Sequence, residues 1–520
     1  MAGNNPKNLL VQPKQVIANP TASELREMVA AMPNAKKTEF GNYAVQVKVK
    51  ARSKKSTYIV SNTPEKHTDQ CMTRAKAEEM ALFQNEYIKD QVMLVIDGFI
   101  GGDPATRTSC RLTIEKTNAN IAAMQQQLYF NPTTEELENF EPELNVIYTP
   151  NLKAEGFPDD RLISVDLDNK ITRVFNSDYF GESKKGGLRM WNKLVYDKGG
   201  LPLHAGCKVI PVGDDKRTAL IIGLSGTGKT TTTFTQQNSS QPVQDDFVAL
   251  MPDGSVLGTE NGCFAKTFGL NADNEPMIHN AVVQPEAYLE NVAVGDDGKV
   301  DFTDKSYTEN GRATFPFRLI PEAADPKTLP PVSFVLILNR NENIIPAVAR
   351  LTKEQAAAYF MLGETKGTSA GGAEEAGKAL RVPGTNPFFP LLHGQQGNRF
   401  LELADNLPFA VYLMNTGWVG GVDGTEFSKK VKIRHSSAVV QGIADEAISW
   451  KKCATFGYEV ATKLTGMNNG DHNLLNPQDY YVSTERSGEY ETIASGLRED
   501  RKSHLAKFPG LNPVLIEAIS

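Results

Sequence analysis

The sequence predicts an α/β protein of two domains, the second a mixed sheet carrying a phosphate-binding loop. Three observations predict it. The chain has 520 residues, more than one ordinary hydrophobic core organises. From about residue 206, apolar runs separated by turns follow one another: "CKVIPVG", "TALIIG", "DDFVALMPDGSVLG", "VSFVLILN" and "FAVYLMNTG". Within that stretch Gly223, Gly228, Lys229 and Thr230 complete the pattern G-x-x-x-x-G-K-[ST], directly after "TALII" and before a threonine-rich run suited to a helix. The domains expected are residues 1–205 and 206–520.

The elements ahead of residue 206 are read in the same way. "TASELREMVAAM" has Thr21 or Ser23 as N-cap and Leu25, Met28, Val29 and Met32 at helical spacing, which predicts an amphipathic helix used for packing or for an oligomer contact. "STYIVS" and "QVMLVIDGFIGG" read as strands, the second closed by a glycine turn at Gly98, Gly101 and Gly102. In the second domain "GETKGTSAGGAEEAGK", residues 363–378, is rich in small residues without apolar period. It reads as a mobile loop or lid, with an ordinary surface insertion as the alternative.

Composition bounds the function classes. With 55 basic and 62 acidic side chains the net charge is −7, which gives no global reason to expect nucleic acid or an anionic membrane as partner. Five cysteines lie far apart without a C-x-x-C pair, so neither a disulfide framework nor a zinc knuckle is indicated and a reducing compartment fits. "MAGNNPKNLLVQPKQVIANP" has no apolar signal region, and no later stretch approaches the roughly 18 apolar residues of a membrane helix. A cytoplasmic protein is expected.

The glycine loop carries the first chemistry. Its glycines let the backbone curl so that N–H groups face phosphate oxygens, Lys229 neutralises β/γ charge, and the Thr230 hydroxyl suits Mg²⁺. Shortly after it, adjacent Asp245 and Asp246 open a strand-like run, so their carboxylates point to opposite faces. One can meet a nucleotide-bound metal and the other a different ion or a structural donor. Upstream, "DYFGESKKGGLRMW" holds Tyr179, Lys184 and Lys185, and "GGLPLHAGCKV" supplies His204. Such lysines are usually solvated and a lone histidine is usually packed, yet a neutral imidazole, a lysine of lowered pKa and a carboxylate together can hold a divalent metal. Arg52 and Arg312 sit at the edges of possible strands, where the guanidinium fork suits a carboxylate or phosphate as well as a surface ion pair.

Taken in order, "ARSKKSTYIV", "GESKKG", "LHAGC", "GLSGTGKTT", "DDFVAL", "NGCFAKT", "YLENV", "TENGR", "IPAVARLT" and "NTGW" resemble the ATP-type phosphoenolpyruvate carboxykinases from about residue 50 to about residue 440. The resemblance implies that family's two-domain fold, a P-loop nucleotide-binding C-terminal domain, and conversion of oxaloacetate and ATP to phosphoenolpyruvate, ADP and CO₂. It implies that Arg52 holds the substrate carboxylate and the departing CO₂, that Arg312 bridges substrate and γ-phosphate, and that Tyr179 lies near the substrate and CO₂. Lys184 adds positive charge at the substrate, and Ser225 reaches towards it from the loop. Lys185, His204 and Asp246 match the family's Mn²⁺ ligands, and Thr230 its Mg²⁺ ligand, with Asp245 supporting the Mg²⁺ shell through water.

On the nucleotide side the resemblance implies Gly223, Leu224, Ser225, Gly226, Thr227, Gly228, Lys229, Thr230 and Thr231, with Lys266, Glu290, Lys430, Val431 and Ser436. It also turns the segment 363–378 into a lid that excludes water from an enolate. The chain departs from the family's usual residues at Asn261 and Ala349, and it carries Lys430, Val431 and Ser436 where Arg, Ile and Thr are common. Those departures bear on the choice of base or phosphoryl donor. A regulatory protein kinase resembling HPr kinase is the alternative from another class, and Arg52, Tyr179 and the pair Lys185/His204 speak against it. The oligomeric state stays open.

Overall fold

Two eight-stranded mixed sheets frame the protein, in a computed structural model that describes residues 8–67, 69–224, 226–236, 239–366 and 379–519. The first runs Gln15–Ala18, Val92–Ile100, Thr108–Glu115, Leu144–Thr149, Ile171–Phe175, Leu162–Asp166, Thr57–Val60, Cys71–Met72. Val92–Ile100 is the apolar run of "QVMLVIDGFIGG", buried almost throughout. Its one charge, Asp97, faces Arg111 across the strand pair, and the two meet at 2.6 Å. The helix Ala22–Ala30 starts at Thr21 with a capping box to Glu24 and buries Leu25 and Val29, so its apolar face is spent on packing within the chain.

The second sheet runs Gln241–Gln244, Ala205–Val212, Asp215–Ile222, Val332–Asn339, Ala410–Asn415, Val348–Arg350, Glu459–Lys463, Ser449–Lys452. Its central strands are the apolar runs read from the sequence. A five-stranded sheet joins the two regions. It takes Ala35–Lys37 and Tyr43–Val45 from before residue 205, and Gly262–Lys266, Tyr288–Glu290 and Arg312–Pro316 from after it. A smaller three-stranded sheet likewise pairs Leu201–Leu203 with Val248–Leu250.

"DYFGESKKGGLRMW" forms the helix Phe180–Asp197, which the sequence reading left as a glycine-flanked segment. Its glycines are there for closeness rather than for a turn. A Cβ on Gly186 would stand 3.2 Å from Thr172 and 3.3 Å from Val146, and one on Gly187 3.4 Å from Cys110. The helix therefore lies tight on the first sheet, which fixes Lys184 and Lys185 to a rigid floor. The five cysteines are all free of disulfides. Of the segment expected to be a lid, residues 367–378 lie outside the described residues, and its flanks Glu364–Lys366 and Ala379–Arg381 pair antiparallel. The C-terminal helices Pro477–Ser483, Ser487–Leu505 and Pro513–Glu517 send Tyr481, Tyr490, Leu505 and Leu515 into the core beside the second sheet.

Candidate active site

Strand Asp215–Ile222 delivers the glycine loop. Val332–Asn339 runs parallel to it and Ala410–Asn415 parallel to that, so Ile222, Asn339 and Asn415 end on the same side of the sheet. Open α/β sheets bind ligands at that edge. The residue following each neighbouring strand grips the loop: Arg340 Nη1 donates to the Gly226 carbonyl at 2.6 Å, and Thr416 Oγ1 to the Thr227 carbonyl at 2.7 Å. Gly226 and Gly228 have φ of 87° and 90°, left-handed values that other residues rarely take. The helix Lys229–Phe234 begins at the next residue. Leu224, Gly226, Thr227, Gly228, Lys229, Thr230 and Thr231 line one cleft of about 420 Å³ together with Lys266, Lys430, Val431 and Ser436. Gly223 lies buried beneath it, where a Cβ would strike Thr227 Oγ1 at 2.4 Å. Ser225 is outside the described residues.

Next to Lys229, which lines that cleft, Asp246 gathers three lysines and a histidine. Lys185 Nζ is 2.6 Å from its carboxylate, Lys184 Nζ and His204 Nε2 are 2.8 Å away, and Lys229 Nζ is 3.4 Å away. Burial pushes the Asp246 carboxyl up, but Lys184, Lys185 and Lys229 outweigh burial and hold it well below the usual carboxylate range. Burial also depresses Lys184, and there Asp246 and Glu260 win and keep the ammonium raised. Glu260 Oε2 takes Lys184 at 2.8 Å and is itself held by Gln244 at 2.9 Å. For Lys185 burial wins, helped by the neighbouring Lys184, and brings it down to about 8. Burial and then Lys229 bring His204 down to about 4, so its ring is neutral at pH 7.

The histidine decides what this cluster is built to hold. His204 Nδ1 lies 2.9 Å from the Thr385 carbonyl, which can only accept, so the single ring proton belongs on Nδ1 and the Nε2 lone pair faces Asp246. Two acceptors 2.8 Å apart call for a cation that both can bind. A carboxylate, a neutral imidazole and an amine of depressed pKa together fit a divalent metal ion. Asp245, next to Asp246 in the same bend, is buried with Oδ1 unpartnered and is within electrostatic reach of Lys184 and Lys229. Among the described residues no three His, Cys, Asp or Glu side chains gather around a point, so the lysine is needed to complete the set.

Two phenylalanines tie the arginines to this centre. The ring of Phe388 has Lys185 at 4.6 Å, Arg189 at 5.5 Å and Arg52 at 6.0 Å. The ring of Phe264 has Arg312 at 5.2 Å, Lys184 at 5.7 Å and Tyr179 at 6.3 Å. Cation–π contacts of this kind orient the cations without removing their charge. Asn310 sets the last two against each other, accepting from Arg312 Nε at 3.1 Å and donating to Tyr179 Oη at 3.4 Å.

The sequence profile of phosphoenolpyruvate carboxykinase matches residues 14–470. The chain belongs to the phosphoenolpyruvate carboxykinase family. Phosphoenolpyruvate carboxykinase (ATP) 1 of Moorella thermoacetica is 30% identical, over 98% of this chain and 97% of that protein. Phosphoenolpyruvate carboxykinase (ATP) of Geobacillus thermodenitrificans is 29% identical over 98% and 97%, and that of Rhodopseudomonas palustris 30% identical over 88% and 85%.

As a carboxykinase the chain brings most of its expected site residues together. Lys184, Lys185, His204, Lys229 and Asp246 share one cluster. Glu290, Asp245 and Arg312 do not line the cleft of the glycine loop; Glu290 is fully buried, its Oε1 accepting from the Phe180 N–H at 2.8 Å. Glu275 occupies the cleft instead and accepts from Thr231 Oγ1 at 3.1 Å. Glu275, Arg340, Phe264 and Phe388 were not singled out from sequence. Phe264 stood inside the quoted "NGCFAKT", where an aromatic beside the expected Lys266 was the available signal.

Proposed function

We propose that this carboxykinase converts oxaloacetate and ATP to phosphoenolpyruvate, ADP and CO₂, reversibly, in gluconeogenesis or in CO₂ fixation. The observation that carries the reading is the Asp246 cluster, which stands between a phosphate-type cleft and two arginines held over aromatic rings. In the reaction the C3–C4 bond of oxaloacetate breaks and leaves its electrons as an enolate. The enolate oxygen then attacks the γ-phosphorus, and ADP departs with the bridging oxygen. Arg52 orients the substrate carboxylate, and Arg312 spans the enolate and the γ-phosphate without itself moving a proton. Lys184 stays charged at the substrate, Ser225 is assigned to the substrate by the family resemblance alone, and Lys229 holds the β/γ-phosphates.

We assign Lys185, His204 and Asp246 to Mn²⁺, and Thr230, supported by Asp245, to nucleotide-bound Mg²⁺. When bound, such ions supply Lewis-acid stabilisation of developing oxyanions. We further propose that residues 206–520 carry the P-loop nucleotide domain and residues 1–205 the substrate side. No helix among the described residues is long and apolar enough to cross a membrane, and a cytoplasmic location fits.

The test is direct. Purified protein is given oxaloacetate with Mg²⁺ and Mn²⁺ and, in turn, ATP, GTP or pyrophosphate, and phosphoenolpyruvate is measured. Product with ATP is expected. Product only with another donor would keep the carboxykinase and overturn the nucleotide assignment, and no product with any donor would overturn both.

A further inference from the structure

Glu290 is fully buried and does not line the cleft of the glycine loop. It sits at the end of strand Tyr288–Glu290, directly opposite Arg312 in the antiparallel register. A carboxylate and a guanidinium in that relation ordinarily pair. Here they do not: Arg312 Nε turns to Asn310 Oδ1, Glu290 Oε1 accepts from the Phe180 N–H, and Glu290 Oε2 is buried without a hydrogen-bond partner. An ionised carboxylate with a buried, unpartnered oxygen is costlier than a neutral carboxyl in the same place, which leaves only an O–H unbonded.

On these contacts, and resting on the reading of Arg312 above, we infer that Glu290 is a positioning residue that works as a neutral carboxylic acid, fixing the start of the Phe180–Asp197 helix while leaving Arg312 to the substrate. Burial pushes the Glu290 carboxyl up to about 8 against the Phe180 N–H, which favours the ionised form, with the like charge of Asp178 acting with burial and Arg312 against it. The phenols facing it, Tyr148 and Tyr179, are both raised by burial and stay neutral. Tyr148 Oη donates to the Tyr179 carbonyl at 2.8 Å, so the turn ahead of the helix is held from two sides. Ionisation of Glu290 creates an anion opposite Arg312 that competes with the substrate for it. The consequence is an alkaline limit on oxaloacetate turnover set by a group that touches no substrate.

The experiment compares Glu290→Ala and Glu290→Gln with wild type across pH. Glu290→Ala, which removes the acceptor of the Phe180 N–H, is expected to lower kcat/KM for oxaloacetate about ten-fold or more at pH 7, and Glu290→Gln, neutral and still an acceptor, to rescue it. In wild type kcat/KM falls above about pH 8, and in Glu290→Gln that limb moves upward or disappears while ATP affinity by calorimetry stays the same. The same alkaline limb in Glu290→Gln, or failure of the rescue in a folded variant, overturns the inference. A parallel Arg312→Lys variant separates the two levels. Undiminished turnover there overturns the role of Arg312 and the inference with it, and lowered turnover with an unmoved limb in Glu290→Gln overturns the inference alone. If Glu290→Gln does not fold, carbon NMR of glutamate-labelled wild type decides: one carboxyl titrating near pH 8 supports the neutral acid, and none doing so overturns it.

Discussion

Lys184 and Lys185 are neighbours in sequence and opposites in chemistry. Lys184 is clamped between Asp246 and Glu260 and is kept charged, while Lys185, one position on, meets Asp246 alone among carboxylates at contact distance and is depressed. The helix supplies the difference by turning consecutive side chains about 100° apart, so one points to the Phe264 side and the other to the Phe388 side. The same division applies to the outer residues. Lys229 sits at the loop and Arg52 beside Phe388, so their removal should damage different halves of the reaction. Lys229→Ala is expected to abolish phosphoryl transfer, a loss of about a hundred-fold or more in kcat, and to weaken ATP binding. Arg52→Ala should leave ATP affinity intact and depress oxaloacetate turnover and the CO₂-fixing direction. Calorimetry with ATP beside steady-state kinetics in both directions checks this, and equal losses in both variants would contradict the roles given.

At the scale of elements, legibility followed the source of each element's stability. Val332–Asn339 and the inner half of Asp215–Ile222, Thr218 to Ile222, announce themselves because strand segments buried on both faces are mostly apolar. Phe180–Asp197 does not, because its glycines and paired lysines answer to the sheet beneath it and to Asp246, which are remote in sequence. Phe264 and Phe388 stayed silent for the same reason, since each becomes a hub only when separate segments meet. The C-terminal helices give a further case. Arg501 is fully buried and forks onto Glu364 at 2.8 and 2.9 Å, and Glu364 also accepts from Asn339 Nδ2 at 3.0 Å. Asn339 directly precedes Arg340, which grips the glycine loop, so a helix beyond the matched residues 14–470 buttresses the strand that supports the site. Arg501→Met leaves Glu364 with Arg381 as its remaining arginine. It is expected to cost about 3–5 kcal/mol in urea unfolding, most of it recovered by Arg501→Met with Glu364→Met. An unchanged unfolding midpoint in the single variant would contradict that role.

For the whole molecule, the seam at residue 205 is a boundary in sequence more than in structure. Strand Tyr43–Val45 is completed by Tyr288–Glu290 in parallel register, the Val47 N–H is taken by Asn291 Oδ1 at 2.9 Å, and Asn42 Nδ2 donates to the Val282 carbonyl at 3.0 Å. One hydrophobic cluster unites Leu25, Ile96 and Trp191 with Phe247, Tyr288 and Phe388. A chain ended at residue 205 would expose a strand edge and the apolar surface that those later residues cover, the combination that drives aggregation. It would also separate Lys184 and Lys185 from the Asp246 that balances them, leaving buried cations unpaired. Residues 1–205 and 206–520 made separately are therefore expected to be insoluble or to lack a cooperative thermal transition, and the two made together to recover a soluble complex with carboxykinase activity. A soluble monomer of residues 1–205 with its own sharp unfolding transition would contradict this. In that outcome the site would be an interface between independent domains, whereas the shared sheet and shared cluster describe a site whose two halves complete one another's fold.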